Sequence, residues 1–319
     1  MSGLRIVFMG TPAFALPSLR HLVQSRHAVV GVVTAPDRPR GRGQKLQPTP
    51  VKAEAQRLGI GPILQPTSLR DPEFLHQLKA LQADLFVVVA FRILPEAVFT
   101  MPPKGTINVH PSLLPRYRGP APIPWTIING DRVTGVSIIF IQKEVDAGNI
   151  ILQQEVPVLE DETAGSLHDR LAEIGARLLV EAVDRLEAGP VPVKKQDERL
   201  ATRAPKLTPE MTFIRFDQPA EQVKNWIHGL SPLPGARTWW NGKLIKLYRA
   251  QVASNQAARA APGTILEVDE EGILVACAPG ALRLTELQLE GRKRLPAKEF
   301  LLGAAIRPGD RFTPAKTTD

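Results

Sequence analysis

Cys277 is the only cysteine in 319 residues. One thiol cannot build a disulfide framework or a cysteine zinc site. It falls inside the apolar run Leu274-Val275-Ala276-Cys277-Ala278, so it is expected as a small core residue in a reducing compartment. Long hydrophobic runs are missing too. The most apolar stretch, residues 85–91, is too short to span a bilayer. The first apolar run, residues 6–9, is too short for a secretory signal, and strand-like sequence from Leu4 leaves no room for a transit segment. The expectation is a cytoplasmic protein with no membrane association. Glycine-rich phosphate loops are lacking as well. The first turn, Gly10-Thr11-Pro12-Ala13-Phe14, has none of the later glycines of a dinucleotide fingerprint, and Pro12 removes an amide donor. No G-x-x-x-x-G-K-[ST] occurs, so no nucleotide cofactor is expected. The histidines at 21, 27, 76, 110, 168 and 228 show no ligand spacing, and neither C-x-x-C nor H-E-x-x-H is present, so no metal is expected.

What is present is a basic excess of +8, unevenly placed. Residues 1–50 carry seven cations against Asp37 alone, and Arg38, Arg40, Arg42 and Lys45 fall within eight positions of one another. Such a block is either a solvated loop or a surface for phosphates.

Strand and helix signals alternate through the first 190 residues. Strands are expected at 4–10, 28–34, 62–64, 84–90, 105–110, 134–142 and 149–158. Helices are expected at 12–25, 51–58, 71–81, 95–99 and 164–186, with Asp71 as a cap and Pro72 in the first turn. Continuous apolar strands between helices indicate a mainly parallel sheet covered on both faces, an α/β fold. The pattern stops at residues 189–209, a proline-interrupted, lysine- and arginine-rich stretch that reads as an extended linker. Beyond a helix at 220–230, short β-like runs at 237–240, 243–252, 263–268, 272–277 and 281–289 suggest a small barrel. Trp239 and Trp240 are expected to pack in its core rather than stack on bases. The expected organisation is an α/β domain at 1–189, a linker at 190–208 and a barrel-like domain at 209–319.

The informative segment is residues 105–115, Gly-Thr-Ile-Asn-Val-His-Pro-Ser-Leu-Leu-Pro. Asn108 and His110 lie at the end of a strand and project to one face, about 7 Å apart. The amide can donate to a developing oxyanion, and the imidazole can do so or move a proton. Asp146, in the turn Val145-Asp146-Ala147-Gly148, is the candidate carboxylate partner. It is expected at the carboxyl end of a neighbouring strand.

Asn-x-His-x-Ser-Leu-Leu-Pro, followed by Arg116-Tyr117-Arg118-Gly119 and later by Asp-Ala-Gly, resembles the 10-formyltetrahydrofolate-dependent formyltransferases. The resemblance extends to residues 9–14, 37–43 and 262–265 and covers essentially the whole chain. It implies a Rossmann-like domain followed by a small β-barrel of OB type. It implies that Asn108, His110 and Asp146 are the catalytic trio and that Ser112, Leu113, Leu114 and Pro115 form the folate-contacting loop. It also implies 10-formyltetrahydrofolate as co-substrate, without a covalent enzyme intermediate. The sequence departs from the family at Phe91-Arg92-Ile93-Leu94-Pro95, where Tyr-Gly-x-Ile-Leu-Pro is more usual, and at Lys143-Glu144-Val145, where a more neutral approach to Asp146 is common.

Relatives of this kind differ in acceptor. The block Arg38, Arg40, Arg42 and Lys45, spaced by Gly41 and Gly43, suits contact with an acceptor stem. The expected partner is therefore charged initiator tRNA, formylated on its methionine amine, and the expected state is a monomer. A nucleotide-sugar amine as acceptor, hydrolysis of 10-formyltetrahydrofolate, and RNA binding without catalysis are the alternatives.

Overall fold

The computed structural model describes residues 3–40, 45–256 and 259–316. In chain order the elements are β1 (Arg5–Gly10), α1 (Leu16–Gln24), β2 (Ala28–Val33), β3 (Arg38–Arg40), β4 (Lys45–Gln47), α2 (Pro50–Arg57), β5 (Ile63–Leu64) and α3 (Pro72–Ala80). There follow β6 (Leu85–Val89), α4 (Glu96–Phe99), β7 (Thr106–His110), α5 (Pro122–Ile128), β8 (Val133–Phe140), β9 (Ile150–Pro157) and α6 (Ala164–Ala188). The remaining elements are α7 (Ala220–Gly229), β10 (Ala236–Trp240), β11 (Lys243–Ser254), β12 (Ile265–Asp269), β13 (Gly272–Ala276), β14 (Ala281–Leu289), β15 (Leu295–Pro296) and α8 (Ala297–Leu301).

Two compact units share this chain. Unit 1 takes Met1–Gly119, Val133–Pro157 and His168–Ala204, and unit 2 takes Pro120–Arg132, Val158–Leu167 and Pro205–Asp319. Unit 1 is built on a seven-stranded sheet in the order β5-β2-β1-β6-β7-β8-β9. The first five are parallel, while β8 runs antiparallel to β7 and β9 antiparallel to β8. The parallel strands read as apolar runs because both faces are covered; all five residues of β6 are buried. Phe86 and Val88 of β6 pack with Val7, Met9, Phe74, Leu78 and Val98. Full burial of one such side chain contributes about 1.5–3 kcal/mol. Asp71 caps α3 by accepting from the Glu73 amide at 3.1 Å, and Pro72 occupies the first turn where its missing N–H costs nothing. The strand order reverses between β1 and β6, which opens a crevice outside their carboxyl ends.

Unit 2 is an antiparallel sheet in the order β10-β11-β14-β13-β12, with β15 pairing β14. Its two edges are not left open. Residues 309–313 exchange hydrogen bonds with Ile265 of β12, with Gly263 just before it and with Trp239 of β10, at 2.8–3.0 Å. This edge-to-edge closure is the barrel-like feature expected from the short strands, and it removes unpaired backbone groups that would recruit other chains. Trp240 is buried and donates its indole N–H to Asp310 at 2.9 Å, as a core residue does. Trp239 is half-buried and stacks on Phe213 with centroids 6.4 Å apart.

α5 has no counterpart in the sequence reading. Pro122 and Pro124 mark the segment as loop, yet proline in a first helical turn gives up only an amide that has no partner there. Within unit 2, Trp125 of α5 meets Trp226 of α7 edge-on at 5.9 Å.

Candidate active site

β7, the neighbour of β6, carries Asn108 and His110 at its carboxyl end. Val109 points the other way, against α6. A Cβ added at Gly175 would lie 3.0 Å from its Cγ1, which puts α6 on that face. Alternation then assigns Asn108 and His110 to the opposite face. His110 is 4% exposed. Its Nε2 lies 2.9 Å from the carbonyl oxygen of Tyr117, and its Nδ1 lies 3.7 Å from Asp146 Oδ1. The first is a hydrogen bond. The second is an ion-pair distance, too long for one. Asn108 is half-buried, and among the described residues no hydrogen bond occupies its side-chain amide.

Asp146 follows the carboxyl end of β8, a neighbour of β7, as expected, but that end of β8 does not lie beside His110. β8 is antiparallel to β7, with His110 opposite Ser137 and Ile107 opposite Phe140. The carboxyl end of β8 therefore lies beside the start of β7, and the segment after it must travel back to bring Asp146 to the ring. A tight turn does this. Asp146 has φ +55°, and its Oδ2 accepts from the Gly119 amide at 2.9 Å. Gly148 has no substitute, because a Cβ there would lie 1.7 Å from the Phe140 oxygen.

Ser112, Leu113, Leu114 and Pro115 follow β7 directly. The Ser112 hydroxyl donates to the Arg116 carbonyl at 2.6 Å, so it is committed to shaping the loop. Ser137 Oγ donates to the Ser112 carbonyl at 2.6 Å and accepts from the Leu114 amide at 3.1 Å. The Gln153 amide donates to the Leu114 carbonyl at 2.8 Å. Leu114 is buried, and Leu113 rests over Gly135, where a Cβ would lie 2.5 Å from its Cδ2.

Residues 190–204, read from the sequence as linker, are fastened along unit 1. Lys194 exchanges backbone hydrogen bonds with Ile150, and Thr202 and Ala204 bond with Pro115, Tyr117 and Arg118. Gln196 is 4% exposed. Its amide nitrogen donates to the carbonyls of Asp146 and Gly148, both at 2.8 Å, and its oxygen accepts from Arg118. Neither Gln196 nor Tyr117 stands out in the sequence. Ser137 has a signal, a hydroxyl between the apolar residues Val136 and Ile138 of β8.

Arg38 and Arg40 lie on β3 and Lys45 on β4, which pair with Arg38 opposite Gln47 and Arg40 opposite Lys45. Arg42 lies outside the described residues. Asp37, the only acid of this block, is bonded to Lys52 at 2.6 Å and to Gln65 at 2.7 Å, and the Lys52 bond holds its carboxyl below the usual range. Arg92 donates to the carbonyls of Pro66 and Thr67 at 2.9 and 3.1 Å and lies over the Phe91 ring. Burial, with repulsion from Arg38, pushes its guanidinium below its usual value.

Among the described residues, one set of side chains, His27, Asp184 and Glu187, does have ligand-like spacing. Arg26 bonds both of its carboxylates, and His27 Nδ1 accepts from the Leu4 amide at 3.0 Å. The Nε2 facing Asp184 then carries the proton of the neutral ring, which suits an ion-paired network rather than a cation.

A doubly wound sheet with an amide, an imidazole and a carboxylate gathered at the carboxyl end of one of its strands, followed in the chain by a small antiparallel sheet, defines a class. The chain matches the family model described as formyl transferase over residues 4–183 and the model of the formyl transferase C-terminal domain over residues 206–305, and it belongs to that family. Curated relatives narrow this further. The chain is 48% identical over 320 residues to the methionyl-tRNA formyltransferase of Geobacter sulfurreducens, covering 100% of both chains. It is 46% identical over 308 residues to the methionyl-tRNA formyltransferase of Moorella thermoacetica, covering 96% of this chain and 98% of the relative. Among solved structures, an N-formyltransferase from Helicobacter canadensis, in complex with folinic acid and dTDP-3-aminofucose, has the same fold. Its TM-score is 0.66 at 18% identity, covering 88% of this chain and 98% of that one.

Proposed function

We propose that this chain transfers the formyl group of 10-formyltetrahydrofolate to the free amino group of methionine on initiator tRNA. The full-length similarity to methionyl-tRNA formyltransferases carries the choice of acceptor. The approach of Asp146 to His110, beside the unengaged amide of Asn108, supports the chemistry.

The neutral amine attacks the formyl carbon, and the carbonyl oxygen becomes an oxyanion. Asn108 donates to that oxygen, and losing one such donor costs about 3 kcal/mol. The bond from carbon to N10 then breaks. The amine loses a proton and N10 gains one, which leaves tetrahydrofolate and the formylated amine. His110 keeps its Nε2 proton in the hydrogen bond to the Tyr117 carbonyl, and Nδ1, turned towards Asp146, is the nitrogen that can take up and release the moving proton.

Ser112, Leu113, Leu114 and Pro115 form the folate side of the pocket in this reading. Arg38, Arg40, Arg42 and Lys45 meet acceptor-stem phosphates, and the C-terminal part of unit 2 handles the tRNA body. A cytoplasmic role follows from that acceptor. The deciding experiment offers 10-formyltetrahydrofolate with charged initiator tRNA in one tube and with a nucleotide-sugar amine in another. Formylmethionine released from the tRNA is the expected product. Formylation of the sugar amine alone overturns the reading.

A further inference from the structure

We propose that Gln196 is a positioning residue for the Asp146 carboxylate, a role that rests on the proposed part of Asp146 in formyl transfer. Asp146 holds a left-handed backbone conformation at φ +55°, which is strained for a non-glycine residue and persists only where neighbours enforce it. Two neighbours do so. The Gly119 amide holds one carboxylate oxygen at 2.9 Å. The Gln196 amide holds the main chain, with one N–H on the Asp146 carbonyl and the other on the Gly148 carbonyl.

Gln196 is itself held. Its oxygen accepts from Arg118 Nε at 3.0 Å and Nη2 at 2.8 Å. Arg118 also forms a two-pronged pair with Glu198 at 2.8 and 2.9 Å. Every polar atom of the Gln196 side chain is therefore used, and the chain from Glu198 to Asp146 is continuous. The same strap is tied to the loop that serves His110. The Thr202 hydroxyl accepts from the Tyr117 amide at 2.8 Å, and the Tyr117 carbonyl is the partner of His110 Nε2. Residues 194–204 thus fix both members of the His110–Asp146 pair without touching either side chain.

The plainer alternative is a buried amide that only stabilises the fold. The two separate in kinetics. In the full-length chain, Gln196→Leu keeps the volume and removes both donors. Gln196→Glu keeps an acceptor for Arg118 but sets an oxygen against two carbonyls. If Gln196 positions Asp146, each lowers kcat about ten- to hundredfold, because small misplacements of a catalytic group are costly. KM for folate and for tRNA stays near wild type. In an Asp146→Ala background the same substitutions cost less than roughly twofold more, since the group they position is gone. Should the leucine variant fail to fold, the glutamate variant carries the test by the same measurements. Wild-type kcat in a folded Gln196 variant overturns the proposal, as does full additivity with Asp146→Ala. Normal turnover of Asp146→Ala alone would instead overturn the reading of the site.

Discussion

Tyr117 holds His110 from the main chain, with its carbonyl oxygen 2.9 Å from Nε2, at a residue whose φ is +62°. A carbonyl only accepts, so Nε2 carries a proton and Nδ1 is the nitrogen turned towards Asp146. The ring is therefore oriented by backbone on one side and by a carboxylate on the other.

That arrangement predicts the cost of losing each member. Asn108→Ala, His110→Ala and Asp146→Ala should each lower kcat about a hundredfold or more, with the protein still folded by circular dichroism. Steady-state formylation of charged tRNA is the measurement. A folded His110→Ala protein with normal turnover would remove the imidazole from the chemistry.

Gly148 makes a separate prediction. Alanine there sets a Cβ 1.7 Å from the Phe140 oxygen, so the turn must move. The expected result is a loss of about 2 kcal/mol or more in stability together with a fall in kcat. Thermal melts and kinetics on the same preparation check it. An unchanged kcat would mean that the turn can shift without moving Asp146.

Stability should depend on pH through His228 of unit 2. The ring is buried, and its Nε2 accepts from the Ala250 amide at 3.2 Å. Burial pushes its pKa down to about 4, with Lys224 and Arg249 lowering it further and Asp161 opposing. The folded value lies below the unfolded one, near 6.5. Protons then bind the unfolded chain preferentially between these values, and stability present above about 6.5 is lost as pH falls towards 4. The loss should be on the order of 2–3 kcal/mol. In urea melts across that range, His228→Gln should flatten the slope. An unaltered slope would assign the acid sensitivity to other groups.

Arg42 tests the choice of acceptor. Arg42→Ala should weaken productive tRNA binding by roughly 1–3 kcal/mol in kcat/KM. Folate affinity should stay the same, and the log–log salt slope should flatten by about one unit. Arg42→Lys should rescue only in part if the contact is bidentate. Wild-type kinetics at every salt concentration would favour a small amine as the acceptor.

The Asn-x-His pair was legible because strand alternation puts positions 108 and 110 on one face whatever the neighbouring strands do. The approach of Asp146 was not. Both directions of β8 have the same apolar signature, and only the antiparallel one requires the turn at residues 146–148 to bring the carboxylate back. Gln196 was hidden for a related reason. Its segment makes single backbone bridges and side-chain bonds to loops, which leave no periodic mark, so proline and lysine content made it look unattached. α5 was concealed by its own prolines. The cations at 38–45 were visible as a cluster, but charge alone does not choose between solvent and phosphate.

The division of the chain has an evolutionary consequence. The polypeptide passes between the two units at residues 119/120, 132/133, 157/158, 167/168 and 204/205. A crossover or fusion at Pro205 therefore does not exchange a whole unit. It leaves α5 behind, with Trp125 cut off from Trp226 and with Ile123, Ile127 and Ile128, all buried in the intact protein, at risk of exposure. Modular shuffling is thereby penalised, and α5 and α7 are bound to change in step, as two halves of one inherited core.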